Sequence, residues 1–138
     1  MMLGIGDVRD YIASLGIAAN DHVYCGKLDG KLEKSIGVYP KEREGNAIQA
    51  VGGNENSSYS IKRISILVHW NKSVRETERV SNTVFDMLRD TTNVTINGTH
   101  ILFTDMKCPE SIPVDTDDNG IFEYVIELDI YYERQVTI

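Results

Sequence analysis

The stretch FEYVIELDIYY, residues 122–132, decides the fold. Phe122, Tyr124, Ile126, Leu128, Ile130 and Tyr132 alternate with Glu123, Val125, Glu127, Asp129 and Tyr131. A period of two is the signature of a β-strand, whose successive side chains point to opposite faces. One face of this strand is apolar and the other carries carboxylates, so the sheet it belongs to packs against something on one side only. Its length exceeds the usual five or six residues. A second long run, YSIKRISILVHW at 59–70, places Ile64, Ile66, Val68 and Trp70 on one face and Ser65, Leu67 and His69 on the other.

Two helices are expected to cover the apolar face. In the first, Val8, Tyr11, Ile12 and Leu15 recur at helical spacing, with Asp7 as N-cap and Gly16 as the left-handed stop. The second opens at Ser73-Val74-Arg75-Glu76, a capping box, and runs to about Arg89 with Val80, Val84, Met87 and Leu88 as its stripe. HVYC at 22–25 and SIGVY at 35–39 read as short strands of a hairpin, with Gly26 and Asp29-Gly30 as turn residues and Pro40 closing the second. Asn97-Gly98, between Val94–Ile96 and Thr99–Phe103, is a hairpin turn of type I′. Lys41–Ser58 is rich in Gly and Asn and reads as a long flexible loop. The sum is one α+β domain over residues 1–138, a mainly antiparallel or mixed sheet with two helices packed on one face. Long strands of this kind at a sheet edge invite pairing with another chain.

The chain has 138 residues, a hydrophobic fraction of 41% and a charged fraction of 25%, which fits one globular domain. Its net charge is −7, the opposite of the basic excess of nucleic-acid binders. The last thirty residues hold eight of the 21 acids and one of the 14 bases, so the remainder balances at 13 against 13. The plainer account of this acidic run is a solvated strand face and a polar turn. The opening MMLGIGDVRDYIASLG lacks a basic and apolar leader, and no run approaches the ~18 apolar residues of a membrane span. The expectation is a cytoplasmic product with no membrane contact, in which Cys25 and Cys108 are free thiols.

No chemistry is indicated. His22, His69 and His100 fall on separate strands without metal-ligand spacing, and no phosphate-cradling or nucleophile motif occurs, so neither catalytic residues nor metal or cofactor ligands are assigned. Asp115-Thr116-Asp117-Asp118-Asn119-Gly120 opens like a calcium loop, in which alternate carboxylates converge on a hard cation. The twelfth position, where a bidentate Glu belongs, is Ile126, and Asp, Asn and Gly are also the ordinary turn formers. Trp70 stands at a strand-to-helix corner, a place for core packing or for an interface anchor.

The run ISILVHWNKSVRETE, 64–78, resembles the strand-to-helix core of the minor capsid proteins of long-tailed bacteriophages and prophages. Tyr24-Cys25-Gly26-Lys27-Leu28 and Ser35-Ile36-Gly37-Val38-Tyr39-Pro40 extend the likeness, which spans roughly Val8 to Tyr132. That group is similar to tail terminators, small α/β proteins that form a ring, usually of six, on the head-proximal end of the tail tube. The resemblance implies a structural virion protein, assembled in the host cytoplasm, that stops tube growth and presents the head-attachment surface. Its partners would be itself, the tube protein and a head–tail connector or neck protein, with DNA passing through the lumen without specific binding. On this reading Glu42, Arg43, Asn46, Gln49 and Asn54 of the loop, with Trp70, are interface candidates, and Glu123, Glu127 and Asp129 face the lumen. The alternative is another neck or head-completion protein, or a small calcium-dependent binding module.

Overall fold

A computed structural model describes residues 3–41, 58–114, 116 and 119–134. Helix α1 spans Ile5–Ser14 and α2 spans Val74–Arg89. The strands are β1 Val23–Cys25, β2 Ser35–Pro40, β3 Tyr59–His69, β4 Thr92–Ile96, β5 Thr99–Met106, β6 Ile112–Val114 and β7 Glu123–Glu133. They form one mixed sheet in the order β1-β2-β3-β7-β5-β4, with β6 on β7 beyond the end of β5. The fold is α+β, and only the β1–β2 pairing is parallel.

The two alternating runs find each other. β3 and β7 pair antiparallel from Tyr59↔Glu133 to His69↔Glu123, in the register that puts Ile64 opposite Leu128, Ile66 opposite Ile126 and Val68 opposite Tyr124. All of these are buried, and a slip of one residue would turn them to the other face. Val8 and Ile12 of α1 and Val84, Phe85 and Leu88 of α2 close the core over this face, with Ile36, Val38 and Ile101 from the flanking strands. Fully burying each such apolar side chain stabilises the fold by about 1.5–3 kcal/mol.

Several local expectations are corrected. The segments at 22–25 and 35–39 are not a hairpin: β1 and β2 run parallel, which pairs Val23 with Ile36 in the core and Cys25, which is exposed, with Val38. The connection Gly26–Lys34 crosses the opposite face, where the Gly30 carbonyl meets His69 Nε2 at 3.0 Å and Asn119 Nδ2 at 3.2 Å. The N-cap of α1 is Gly4, and Asp7 sits at the third helical position, its carboxylate accepting from Gly4 N at 2.9 Å. Ser73 caps α2 by accepting from Glu76 N at 3.2 Å, but the reciprocal half of the box is replaced because Asn71 Oδ1 already takes the Ser73 N–H at 2.9 Å. The stripe of α2 is also rotated: Thr77, Ser81, Val84, Phe85 and Leu88 are buried, while Met87 is exposed. The buried face of α2 thus begins with small side chains at 77 and 81 and continues with the larger Val84, Phe85 and Leu88.

The long strands lie inside the sheet over most of their length. They occupy the centre, and short strands hold the periphery, each with a feature that discourages further pairing. Arg9 Nε of α1 donates to the Val23 carbonyl of β1 at 2.8 Å. Asn93 in β4 takes a positive φ of 52°, a left-handed residue between the Thr92↔Phe103 and Val94↔Ile101 pairs with β5. Pro113 removes a backbone donor from the middle of β6. Because α1 touches β1, β2 and β4, from opposite ends of the strand order, the sheet curls around it.

The β4–β5 turn fixes that curl. Asn97 and Gly98 have φ of 48° and 85°, as the type I′ turn requires, and Asn97 Nδ2 donates to Asp7 Oδ1 at 2.9 Å and Asp10 Oδ2 at 3.0 Å. The amide holds the Asp10 carboxyl below its ordinary value, with Arg9 assisting. Replacing Asn97 by Ala should destabilise the fold by about 1–2 kcal/mol in urea unfolding, because both the turn conformation and the bonds to α1 are lost. Asn97→Gly, which keeps the turn and loses the bonds, should fall between the two.

Candidate assembly surfaces

The face of the sheet opposite the helices holds the odd-numbered residues of β3 and β7, and among the described residues no helix covers it. Its upper end lies under the Gly26–Lys34 connection. His69, fully buried there, has Nδ1 2.8 Å from Glu123 Oε2. Toward the other end Lys41 Nζ lies 3.4 Å from Glu127 Oε1, and Asp129 Oδ2 has Arg63 Nε and Lys107 Nζ each at 3.9 Å. Lys107 also pairs with Asp105, whose carboxylate holds the ammonium above its usual range.

The three carboxylates read as one acidic face do share a face, as their alternate spacing requires. Glu127 and Asp129 each have a cationic side chain within 4 Å, which compensates their charge in place, and Glu123 lies against His69. Asp129 is 4% exposed without a helix over it, because the long basic side chains lie around it. The linear sequence showed the acids; their partners come from β2, β3 and β5, and only the strand order reveals them.

Beside the ion pairs is an aromatic row. Tyr131 stacks on Phe103 with centroids 4.5 Å apart and on Tyr59 at 5.7 Å. Phe103 is 46% exposed and forms the outer end of the row. Sequence reading placed Phe103 only in a hairpin strand. Its pairing with Tyr131 in a register shifted by a bulge after Ile101 was not legible in advance.

On the helix side a cleft of about 180 Å³ opens between α2 and β6, lined by Glu78, Asn82, Glu110, Ser111, Pro113 and Tyr124. The Tyr124 hydroxyl donates to Glu78 Oε2 at 3.2 Å, and Ser111 Oγ donates to Asn82 Oδ1 at 2.7 Å. Burial, then Glu78 and more weakly Glu110, push the Tyr124 hydroxyl above its ordinary value. Ser111 faces an amide and not a base, so the cleft lacks the activation that a nucleophilic hydroxyl needs. Ile112 and Val114 of β6 are exposed at its rim.

Trp70 is not available to a partner: it is 5% exposed, belongs to the core, and donates from Nε1 to Glu76 Oε1 at 3.3 Å. Asn71 and this bond hold the Glu76 carboxyl below its ordinary value. Glu42, Arg43, Asn46, Gln49 and Asn54 lie outside the described residues, as do Asp115, Asp117 and Asp118 of the calcium-like run. The twelfth position of that run, Ile126, is buried in β7. His22 Nδ1 is 3.0 Å from Glu33 O and His100 Nε2 is 3.3 Å from Asn93 Oδ1, so the three histidines serve three separate neighbourhoods. Among the described residues no three His, Cys, Asp or Glu side chains cluster as metal ligands, and no helix is long and apolar enough to cross a membrane.

A one-sided sheet with protected edges, a paired ionic network and an exposed aromatic row defines a small protein equipped for contacts with other proteins. The chain belongs to the bacteriophage tail terminator protein family, whose model matches residues 4–134. It is therefore a structural component of the phage tail, and membership of this family implies interaction with tail and head proteins. No curated protein matches it.

The Tyr124–Glu78 bond gives a measurable titration. A hydroxyl whose value is raised in the folded state holds its proton more tightly there than in the unfolded chain. Its contribution is therefore full below about pH 10 and is lost as the pH rises through the folded value. Tyr124→Phe should cost about 1 kcal/mol at neutral pH and lessen the alkaline loss of stability, read as the difference between the two proteins' urea midpoints from pH 8 to 12.

Proposed function

We propose that the chain assembles as a closed ring of six copies on the head-proximal end of a tail tube, where it ends tube growth and presents the surface to which the filled head attaches. The observation that carries this reading is the match to the tail terminator family over residues 4–134, on a fold whose helices leave one broad sheet face for protein contacts. The partners are then further copies of the chain, the tube protein on one side of the ring, and a connector or neck protein on the other. Segment 42–57, with Glu42, Arg43, Asn46, Gln49 and Asn54, contributes to these contacts. DNA passes through the opening without specific binding, which the net charge of −7 favours, since carboxylates repel phosphates. Assembly takes place in the bacterial host cytoplasm, and the reading assigns the chain no catalysis and no cofactor.

Light scattering on a sizing column, over a concentration series and with purified tubes added, tests this. The expected result is a species of about six chain masses, ring-shaped in negative stain, and tubes that stop lengthening once it is bound. Single chains at every concentration, together with tubes that elongate equally with and without the protein, would overturn the proposal.

A further inference from the structure

We infer that the lower half of the uncovered sheet face, centred on Phe103 and Tyr131, is where one copy of this chain packs against the next. The inference rests on the ring reading above and names the surface that closes it.

Two observations lead here independently. The first is what the short outer strands disfavour: Arg9 occupies a backbone acceptor of β1, Asn93 takes a left-handed conformation in β4, and Pro113 lacks a donor in β6. Strand addition along these short edges is disfavoured, which favours contacts made through side chains. The second is charge. Two copies each carrying −7 repel, and contact is least costly where each acid already has a cation beside it. On this face Lys41–Glu127, Arg63–Asp129 and Lys107–Asp105 satisfy that condition, and they surround the aromatic row. By contrast, Glu78 and Glu110 of the cleft have no ion pair among the described residues, and a second acidic copy placed there would meet them unscreened.

Phe103 supplies the anchor. It is nearly half exposed, yet its ring is held flat on Tyr131 at 14°, and Tyr131 in turn on Tyr59. A ring already fixed by stacking loses little freedom when a partner covers it, which is the property of an interface hot spot. A face meant to let DNA slide past has the opposite requirements: carboxylates left uncompensated and no aromatic surface.

The test compares Phe103→Ser with Ile112→Ser, two exposed apolar residues on different surfaces. Circular dichroism and thermal unfolding first establish that both variants are folded. Phe103→Ser should raise the concentration at which rings form by about tenfold or more, as expected for truncating an aromatic anchor, while Ile112→Ser should leave it within about twofold. In parallel, Phe103→p-benzoylphenylalanine in the assembled ring should photo-cross-link to a second copy of the chain. Rings that form normally with folded Phe103→Ser, or cross-links that go to the tube protein or to DNA in the lumen, overturn this inference while leaving the ring intact. Failure of the wild-type chain to form rings, alone and on tubes, overturns the ring reading and this inference together. Should Phe103→Ser fail to fold, the cross-link alone decides.

Discussion

The pairing of β3 with β7 is the constraint on which everything else depends. These are the two longest strands, they lie at the centre of the sheet, and their register is fixed by the apolar side chains they share on one face. Once Ile66 stands opposite Ile126, the helices have a surface to cover. Every odd-numbered residue is then committed to the other face, whatever its chemistry. Arg63, Glu127, Asp129, Tyr131 and Tyr59 are therefore brought together by the burial of their neighbours, not by attraction to one another. The surface proposed for assembly is a by-product of the core.

That arrangement explains how a chain of −7 keeps a nearly buried aspartate. Asp129 would be costly to desolvate alone, since an isolated ionised carboxylate in a low-dielectric environment is strongly disfavoured. Arg63 arrives from the paired strand directly opposite, and Lys107 from just past the end of β5, where its N–H donates to the Glu127 carbonyl. The cations are positioned by backbone pairing before their side chains are called upon, so little of their attraction is spent on ordering them. The compensation is geometric first and electrostatic second.

The sequence made the sheet legible and hid the neighbourhoods. Period-two alternation at 59–70 and 122–132, helical spacing at 8–15 and the Asn97-Gly98 turn each report local structure, and each corresponds to an element of the fold. Pairing between distant strands leaves no such local mark. The parallel β1–β2 pair could not be told from a hairpin, because the turn residues at 26–30 are compatible with either path and only the tie of Gly30 to His69 and Asn119 separates them. The stripe of α2 was displaced because Thr77 and Ser81 are polar by type and buried by position. At the candidate surface the acids were visible as a run, while their cationic partners and the Tyr59–Tyr131–Phe103 row required the strand order. For Trp70 the residue type leaves both core packing and an anchor role open, and its location decides for the core.

The treatment of the sheet edges bears on what a terminating protein must avoid. An open strand edge is a template for adding another chain, and each addition presents a new edge, so growth by that route has no natural end. A heterologous contact between side-chain surfaces closes when its rotation returns to the start, and a closed ring offers no further site in its own plane. In this chain the long, regular strands that would make the best templates are placed at the centre, where both their edges are occupied over most of their length. The exposed positions go to short strands bearing a proline, a left-handed asparagine or an arginine cap. Pro113 and Asn93, minor irregularities in the sequence, are among the features that disfavour strand addition at these outer strands.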